Sequence, residues 1–239
     1  MIWVIGGTSD ANKIVEKLLI SDRKILVSTT TTYGSQLAQK KGVTVIQKQL
    51  NKDEMQHLIM DYAISKIIDA SHPFAQVVSE NAIEVCQNNN IPYVRFERKV
   101  KHYPDALYYQ SYEEMVSALK QSKGDILLTI GSKNVGLFSD INDRIVARVL
   151  PVQESILLCE NAGLKAHQIL AMKGRVTTDT NIALIKEYGI QHLVTKDSGE
   201  AGGMEEKMDA AKACNIKVHI LGRPKVNYPK IIQDIEAFG

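Results

Sequence analysis

Short apolar runs without polar alternation, each followed by a stretch of helical periodicity, recur along the 239-residue chain, and no other feature constrains the fold so tightly. The runs fall at 2–5, 24–28, 43–47, 66–69 and 93–95, with helical stretches at 10–20, 35–40, 52–61 and 74–88 between them. In the last stretch Val77, Val78, Ala82, Val85 and Cys86 share one helix face. Strands that are apolar at every position are covered on both faces, as in a parallel sheet flanked by helices. The series then restarts, with strands expected at 125–129, 144–149, 191–195 and 217–221 and helices at 112–121, 152–162, 178–188 and 204–215. Between the two series, 97–106 has weak periodicity, several basic residues and Pro104, and reads as a connection. The expectation is an α/β chain of two Rossmann-like domains, 1–98 and 99–239, with mostly parallel sheets and a cleft between them.

Composition narrows the function classes. Lys and Arg total 29 against 27 Asp and Glu, a net charge of +2, which argues against a surface built for nucleic acid. Cys86, Cys159 and Cys214 form no CxxC pair, and the six histidines show no HxH or HExxH spacing, so no metal site is expected. The chain opens directly on a strand-like run, and its apolar runs are too short to span a bilayer, so a cytoplasmic protein without a membrane partner is expected. The oligomeric state stays open, a monomer included.

In open α/β sheets ligands sit beyond the carboxyl ends of the strands, where helix N-termini point outward. The first such turn is Gly6-Gly7-Thr8-Ser9-Asp10-Ala11: glycines for close backbone approach, and Thr8 or Ser9 as a cap. It is not a GxGxxG, and a plain strand-to-helix turn is the competing reading. Ser28-Thr29-Thr30-Thr31-Thr32 follows the second strand and lacks the acid that holds a ribose diol, so NADPH and NADH both stay open, with a lean to NADPH. Ser71-His72-Pro73-Phe74 follows the fourth strand, and His72 is either a cap or a ligand and proton-transfer group.

In the second half, Gly131-Ser132-Lys133-Asn134 follows one strand and Arg148 closes the next. Lys196-Asp197-Ser198-Gly199-Glu200-Ala201-Gly202-Gly203 has the composition of an anion nest, and Gly222-Arg223-Pro224 ends the last strand. Two matches are decoys. Tyr62 and Lys66 have YxxxK spacing but straddle a helix end and a strand start. Gly131-Ser132-Lys133 lacks the upstream glycine of a P-loop.

Taken in order, Gly6–Ala11, Ser71–Ala75, Arg95-Phe96-Glu97-Arg98, Gly131–Asn134, Arg148–Pro151, Lys196–Glu200 and Gly222–Pro224 resemble the precorrin-6A reductase family of cobalamin biosynthesis across nearly the whole chain. The resemblance implies two Rossmann-like domains, NADPH or NADH as hydride donor with no flavin and no metal, and a polycarboxylate tetrapyrrole substrate, precorrin-6A or its cobalt form. One ring double bond is reduced, by hydride at one carbon and a proton at its neighbour. On this reading the cofactor-binding residues are Gly6, Gly7, Thr8, Ser28, Thr29, Ser71 and His72, with His72 also catalytic. The substrate-binding residues are Arg98, Lys133, Arg148, Lys196, Ser198, Gly199 and Arg223. The alternative from another class is a non-catalytic dinucleotide-binding sensor of the same fold. A third reading, a sugar-nucleotide or short-chain-type oxidoreductase, has the misplaced Tyr62 and Lys66 against it.

Overall fold

A computed structural model of the chain describes residues 1–21, 23–30, 32–173, 176–199 and 202–238. It divides into two compact units, Met1–Lys99 with Pro224–Gly239, and Val100–Arg223.

The first unit is built on β1 (Ile2–Ile5), β2 (Ile25–Thr29), β3 (Val43–Gln47), β4 (Lys66–Asp69), β5 (Tyr93–Phe96) and a short β12 (Ile231–Ile232). They form one sheet in the order β12-β5-β4-β1-β2-β3, with every pairing parallel. Both faces are covered, which is why the strands read as unbroken apolar runs. Along β1, Ile2 and Val4 join a core with Val27, Ile68 and Phe96, while Trp3 and Ile5 join a second core with Leu26 and Ile67. Helix α1 (Ser9–Ile20) seals the first core through Ile14, Val15 and Leu18. On the other face α3 (Lys52–Asp61) and α4 (Gln76–Asn88) contribute Met55, Ile59, Ala82 and Val85. The short α2 (Thr32–Ala38) lies between β2 and β3.

The expected second domain of 99–239 needs correction at its end, because 224–238 packs on the first unit. Ile231 and Ile232 pair with Arg95 and Phe96, the Phe238 ring meets Phe96 edge-on at 6.1 Å, and Tyr228 stacks on Tyr93 at 6.5 Å. A two-residue strand carries no period, so the sequence pattern does not reveal it.

The second unit has β6 (Leu107–Tyr109), β7 (Asp125–Leu128), β8 (Ile145–Val149), β9 (Ile169–Ala171), β10 (Ile190–Lys196) and β11 (Lys217–Leu221). Their order is β6-β11-β10-β7-β8-β9, again all parallel. Helices α5 (Tyr112–Lys120), α6 (Gln153–Asn161), α7 (Thr178–Glu187) and α8 (Met204–Ala213) fall where the periodicity puts them. Four features were not expected: β6, β9, a short 3-10 turn at Ala166–Gln168 and a 3-10 stretch, Ser132–Arg144, kinked at Ile141. Among the described residues no helix is long and apolar enough to cross a membrane.

Candidate active site

In the first unit the chain fills one side of the sheet and then crosses to the other, and in the second it does so after β6, which lies at the far edge beside β11. The strand order reverses between β1 and β4 in the first unit and between β7 and β10 in the second. Such a reversal opens a crevice at the carboxyl ends of the two central strands, because their following loops diverge to opposite faces. The glycine-bearing turns singled out in the sequence follow three of these four strands, and Ser71-His72 follows the remaining one.

After β1, the Gly6 N–H donates to the Ser28 carbonyl at 2.8 Å, and a Cβ on Gly6 would stand 3.1 Å from Val27 Cγ1. Gly7 has φ +105°, a conformation that favours glycine. Thr8 caps α1 by accepting from the Ala11 N–H at 3.1 Å, and its hydroxyl donates to the Ala70 carbonyl at 2.7 Å. That second bond ties the two reversal-point loops together. Ser28 is occupied otherwise, accepting from the Trp3 indole at 2.9 Å. Thr29 Oγ1 is buried without a hydrogen-bond partner, 4.0 Å from where a Cβ on Gly7 would lie. An open glycine, an orphaned hydroxyl and the start of α1 together fit the pyrophosphate end of a dinucleotide. Thr31 lies outside the described residues.

After β4, the Ser71-His72 loop rests on a buried ionic network. Asp69 is fully buried; its Oδ1 accepts from the Ser71 N–H and from Arg95 Nη1, both at 2.9 Å. Its Oδ2 accepts from the Ser79 and Tyr93 hydroxyls, both at 2.6 Å. Arg95, 1% exposed, also donates to Ser71 Oγ at 3.0 Å and lies over the Tyr228 ring at 5.2 Å. Burial, and then the Asp69 charge, drive the Tyr93 phenol far above its ordinary range, so it stays a donor. The sequence reading missed Asp69 and Tyr93 as site residues; the available signal was Arg95 interrupting an apolar strand. His72 is exposed, and its Nδ1 accepts from the Phe74 N–H at 3.2 Å, which places the proton of the neutral ring on Nε2. Arg98 belongs to this unit, where it pairs with Asp10 in the first turn of α1.

In the second unit Tyr112 gathers two loops. The Asn134 amide donates to its hydroxyl at 3.2 Å, and Lys196 Nζ stands 5.9 Å from its ring centroid. Gly131 has φ +81° with open space around a would-be Cβ, and Lys133 is exposed. Burial lowers the Lys196 ammonium. Arg148 donates to Asn181 Oδ1 at 2.7 Å, and burial lowers it to about 10, still charged at neutral pH. Arg223 braces the turn after β10: its Nε donates to the Asp197 carbonyl at 3.1 Å and lies 3.4 Å from the Asp197 carboxylate. In that turn the Ser198 N–H bonds the Lys196 carbonyl at 2.7 Å, and Gly199 and Gly203 have φ of +66° and +67°. Glu200 and Ala201 lie outside the described residues.

The decoys resolve as expected, since Tyr62 caps the end of α3 and Lys66 opens β4. Among the described residues no group of three His, Cys, Asp or Glu is placed to hold a metal ion.

The chain is 40% identical over 240 residues to the cobalt-precorrin-6A reductase of Methanocaldococcus jannaschii, covering 98% of this chain and 95% of that protein. It is 36% identical over 235 residues to the cobalt-precorrin-6A reductase of Methanococcus maripaludis, covering 95% and 93%. Its fold superposes on the solved structure of CobK precorrin-6A reductase with a TM-score of 0.83 at 23% identity, over 98% of this chain and 93% of that one. The model of the precorrin-6x reductase CbiJ/CobK family matches residues 1–238, and the chain belongs to that family.

Proposed function

We propose that the chain reduces cobalt-precorrin-6A, with the first unit holding NADPH or NADH and the second binding the carboxylates of the macrocycle. The observation that carries the cofactor assignment is the β1 turn. Its Gly7 is open, its Thr8 is bonded across the reversal point to Ala70, and the buried Thr29 hydroxyl beside it lacks a partner. A nicotinamide dinucleotide held by this turn would supply the hydride for one carbon of a ring double bond. Thr8 and the α1 N-terminus would hold its pyrophosphate, and the buried Thr29 hydroxyl would find its hydrogen-bond partner there. The Asp69–Arg95 pair fixes Ser71 and with it the backbone that carries His72, which is placed to orient the nicotinamide or deliver the proton to the neighbouring carbon. In the second unit Arg148 and Lys196 are desolvated cations that bind acetate and propionate groups through charge-assisted hydrogen bonds. Lys133, Ser198 and Gly199 line the same reversal point, and Arg98 and Arg223 act through the acids they hold.

The two relatives cited above are named for the cobalt-containing substrate, which favours that form here. The deciding experiment follows NADPH and NADH oxidation with cobalt-precorrin-6A and precorrin-6A in parallel. Turnover of the cobalt form supports the proposal; binding of the dinucleotide without its oxidation by either corrinoid refutes it.

A further inference from the structure

Helix α8 buries Met204, Lys207, Ala210 and Ala211, so a lysine occupies the core stripe of a helix otherwise sealed by apolar side chains. Lys207 is 4% exposed, and its Nζ donates to Thr195 Oγ1 at 3.0 Å and to the Gly202 carbonyl at 2.8 Å, both uncharged oxygens. On β8, Arg148 hydrogen-bonds the neutral Asn181. Among the described residues neither cation forms an ion pair with a carboxylate. Burying charge against neutral partners is expensive, and an apolar residue on the same stripe would avoid the cost. Two desolvated cations at the carboxyl end of one sheet therefore form a positive field that the protein itself does not neutralise by direct pairing.

We propose that Lys207 is a buried specificity determinant of the second unit, adding to Arg148 a positive field whose counter-charge is the polycarboxylate ligand. This rests on the reading of that unit as the substrate side. Lys207 acts through the field and through the turn it holds from beneath, while Arg148 and Lys196 make the contacts.

The surroundings make the effect dependent on protonation. Burial, and then the Arg148 charge, push the Lys207 ammonium down to about 7, while Glu206 on the same helix raises it. Its hydrogen-bond partners are neutral, Thr195 from β10 and Gly202 from the turn, and the charged groups that act on it are Arg148 from β8 and Glu206 from α8 itself. Above about pH 7 the free protein thus releases a proton that a bound carboxylate restores, so binding takes up a proton and Kd rises with pH.

Calorimetric titration of the intact protein with cobalt-precorrin-6A, at pH 8 in two buffers of different ionisation enthalpy, reads this directly. The wild type takes up a fraction of a proton, and its Kd rises up to about tenfold per pH unit above neutrality. Lys207→Met abolishes the uptake and raises Kd about tenfold or more at pH 7, while the melting temperature holds or rises because a buried charge has gone. Lys207→Gln serves if the methionine variant fails to fold. A wild type without proton uptake, or a folded variant with unchanged Kd, overturns the proposal. Arg148→Ala separates the two levels of inference. If it weakens binding while Lys207→Met does not, only the role of Lys207 fails; if neither weakens it, the substrate reading of the unit fails.

Discussion

Removing the Arg95 side chain tests how the first unit holds its reversal-point loop. Arg95→Met keeps the length of the side chain in a strand that is buried throughout, but it strands the Asp69 carboxylate, which has no exposed surface. Three donors remain to that carboxylate, Ser71, Ser79 and Tyr93, and none carries charge. Breaking a buried pair on one side costs about 3–5 kcal/mol, because the surviving ion is left uncompensated. The single tryptophan, Trp3, is fully buried in this unit, so its fluorescence during urea unfolding follows the first unit alone. The expected result is a loss of about 3–5 kcal/mol in the tryptophan-detected transition. Asp69→Asn/Arg95→Met should recover part of the loss, since no uncompensated charge then remains. A single variant within about 1 kcal/mol of the wild type would show that the network is not held together by ionic pairing.

Three other predictions concern cofactor, chemistry and pH. Gly7→Val puts a branched side chain at φ +105° and into the space beside Thr29; it should cost about 1–3 kcal/mol in stability and weaken NADPH binding far more than that strain accounts for, with unchanged cofactor titration moving the site elsewhere. His72→Ala should lower kcat about 10²–10⁴-fold if His72 transfers the proton or positions the nicotinamide, whereas full turnover with a lowered melting point would make it a local cap. In the second unit, His192 donates from Nε2 to the Lys123 carbonyl at 3.0 Å, so its Nδ1 accepts from His219 at 2.9 Å, and His219 Nδ1 accepts from Tyr109 at 2.9 Å. Burial and the neighbouring His192 push His219 down to about 4 from its ordinary 6.5, so the unfolded chain binds a proton that the folded one refuses. Stability should therefore be full above about pH 6.5 and fall by about 3 kcal/mol as pH drops toward 4; a flat profile in urea titrations across that window would refute the neutral chain.

Much of this was legible because both sheets are buried on both sides, which leaves short apolar runs without polar alternation and pins the turns between them. The turns at Gly6–Thr8, Ser71-His72, Gly131–Asn134 and Lys196–Gly199 could be read as candidates for that reason, without knowing the strand order. What escaped depends on pairing across strands. Asp69 and Arg95 sit on different strands, and only the register Asp69↔Arg95 makes them partners. His192 and His219 look scattered until β10 and β11 align with Val194 opposite His219, which puts both rings on one face. The strands β6, β9 and β12 are too short to show a period. Lys207 was readable in principle from its spacing to Met204 and Ala211, but a lysine in a helix is ordinarily assigned to the solvent face. The pairing of Arg98 with Asp10 likewise spans separated stretches of chain, and no local pattern shows it.

The return of residues 224–238 to the first sheet has a consequence for the order of events during synthesis. The second unit is one continuous stretch, so it can fold as soon as Arg223 has left the ribosome. The first unit cannot: for more than a hundred residues of elongation β5 presents a bare backbone edge, and Tyr228 is not yet stacked over the Asp69–Arg95 pair. An open edge beside a buried ion pair is the element most exposed to wrong partners while the chain is still growing. The unit made first is thus the unit finished last, and shortening the chain by its last fifteen residues should injure the fold at its beginning.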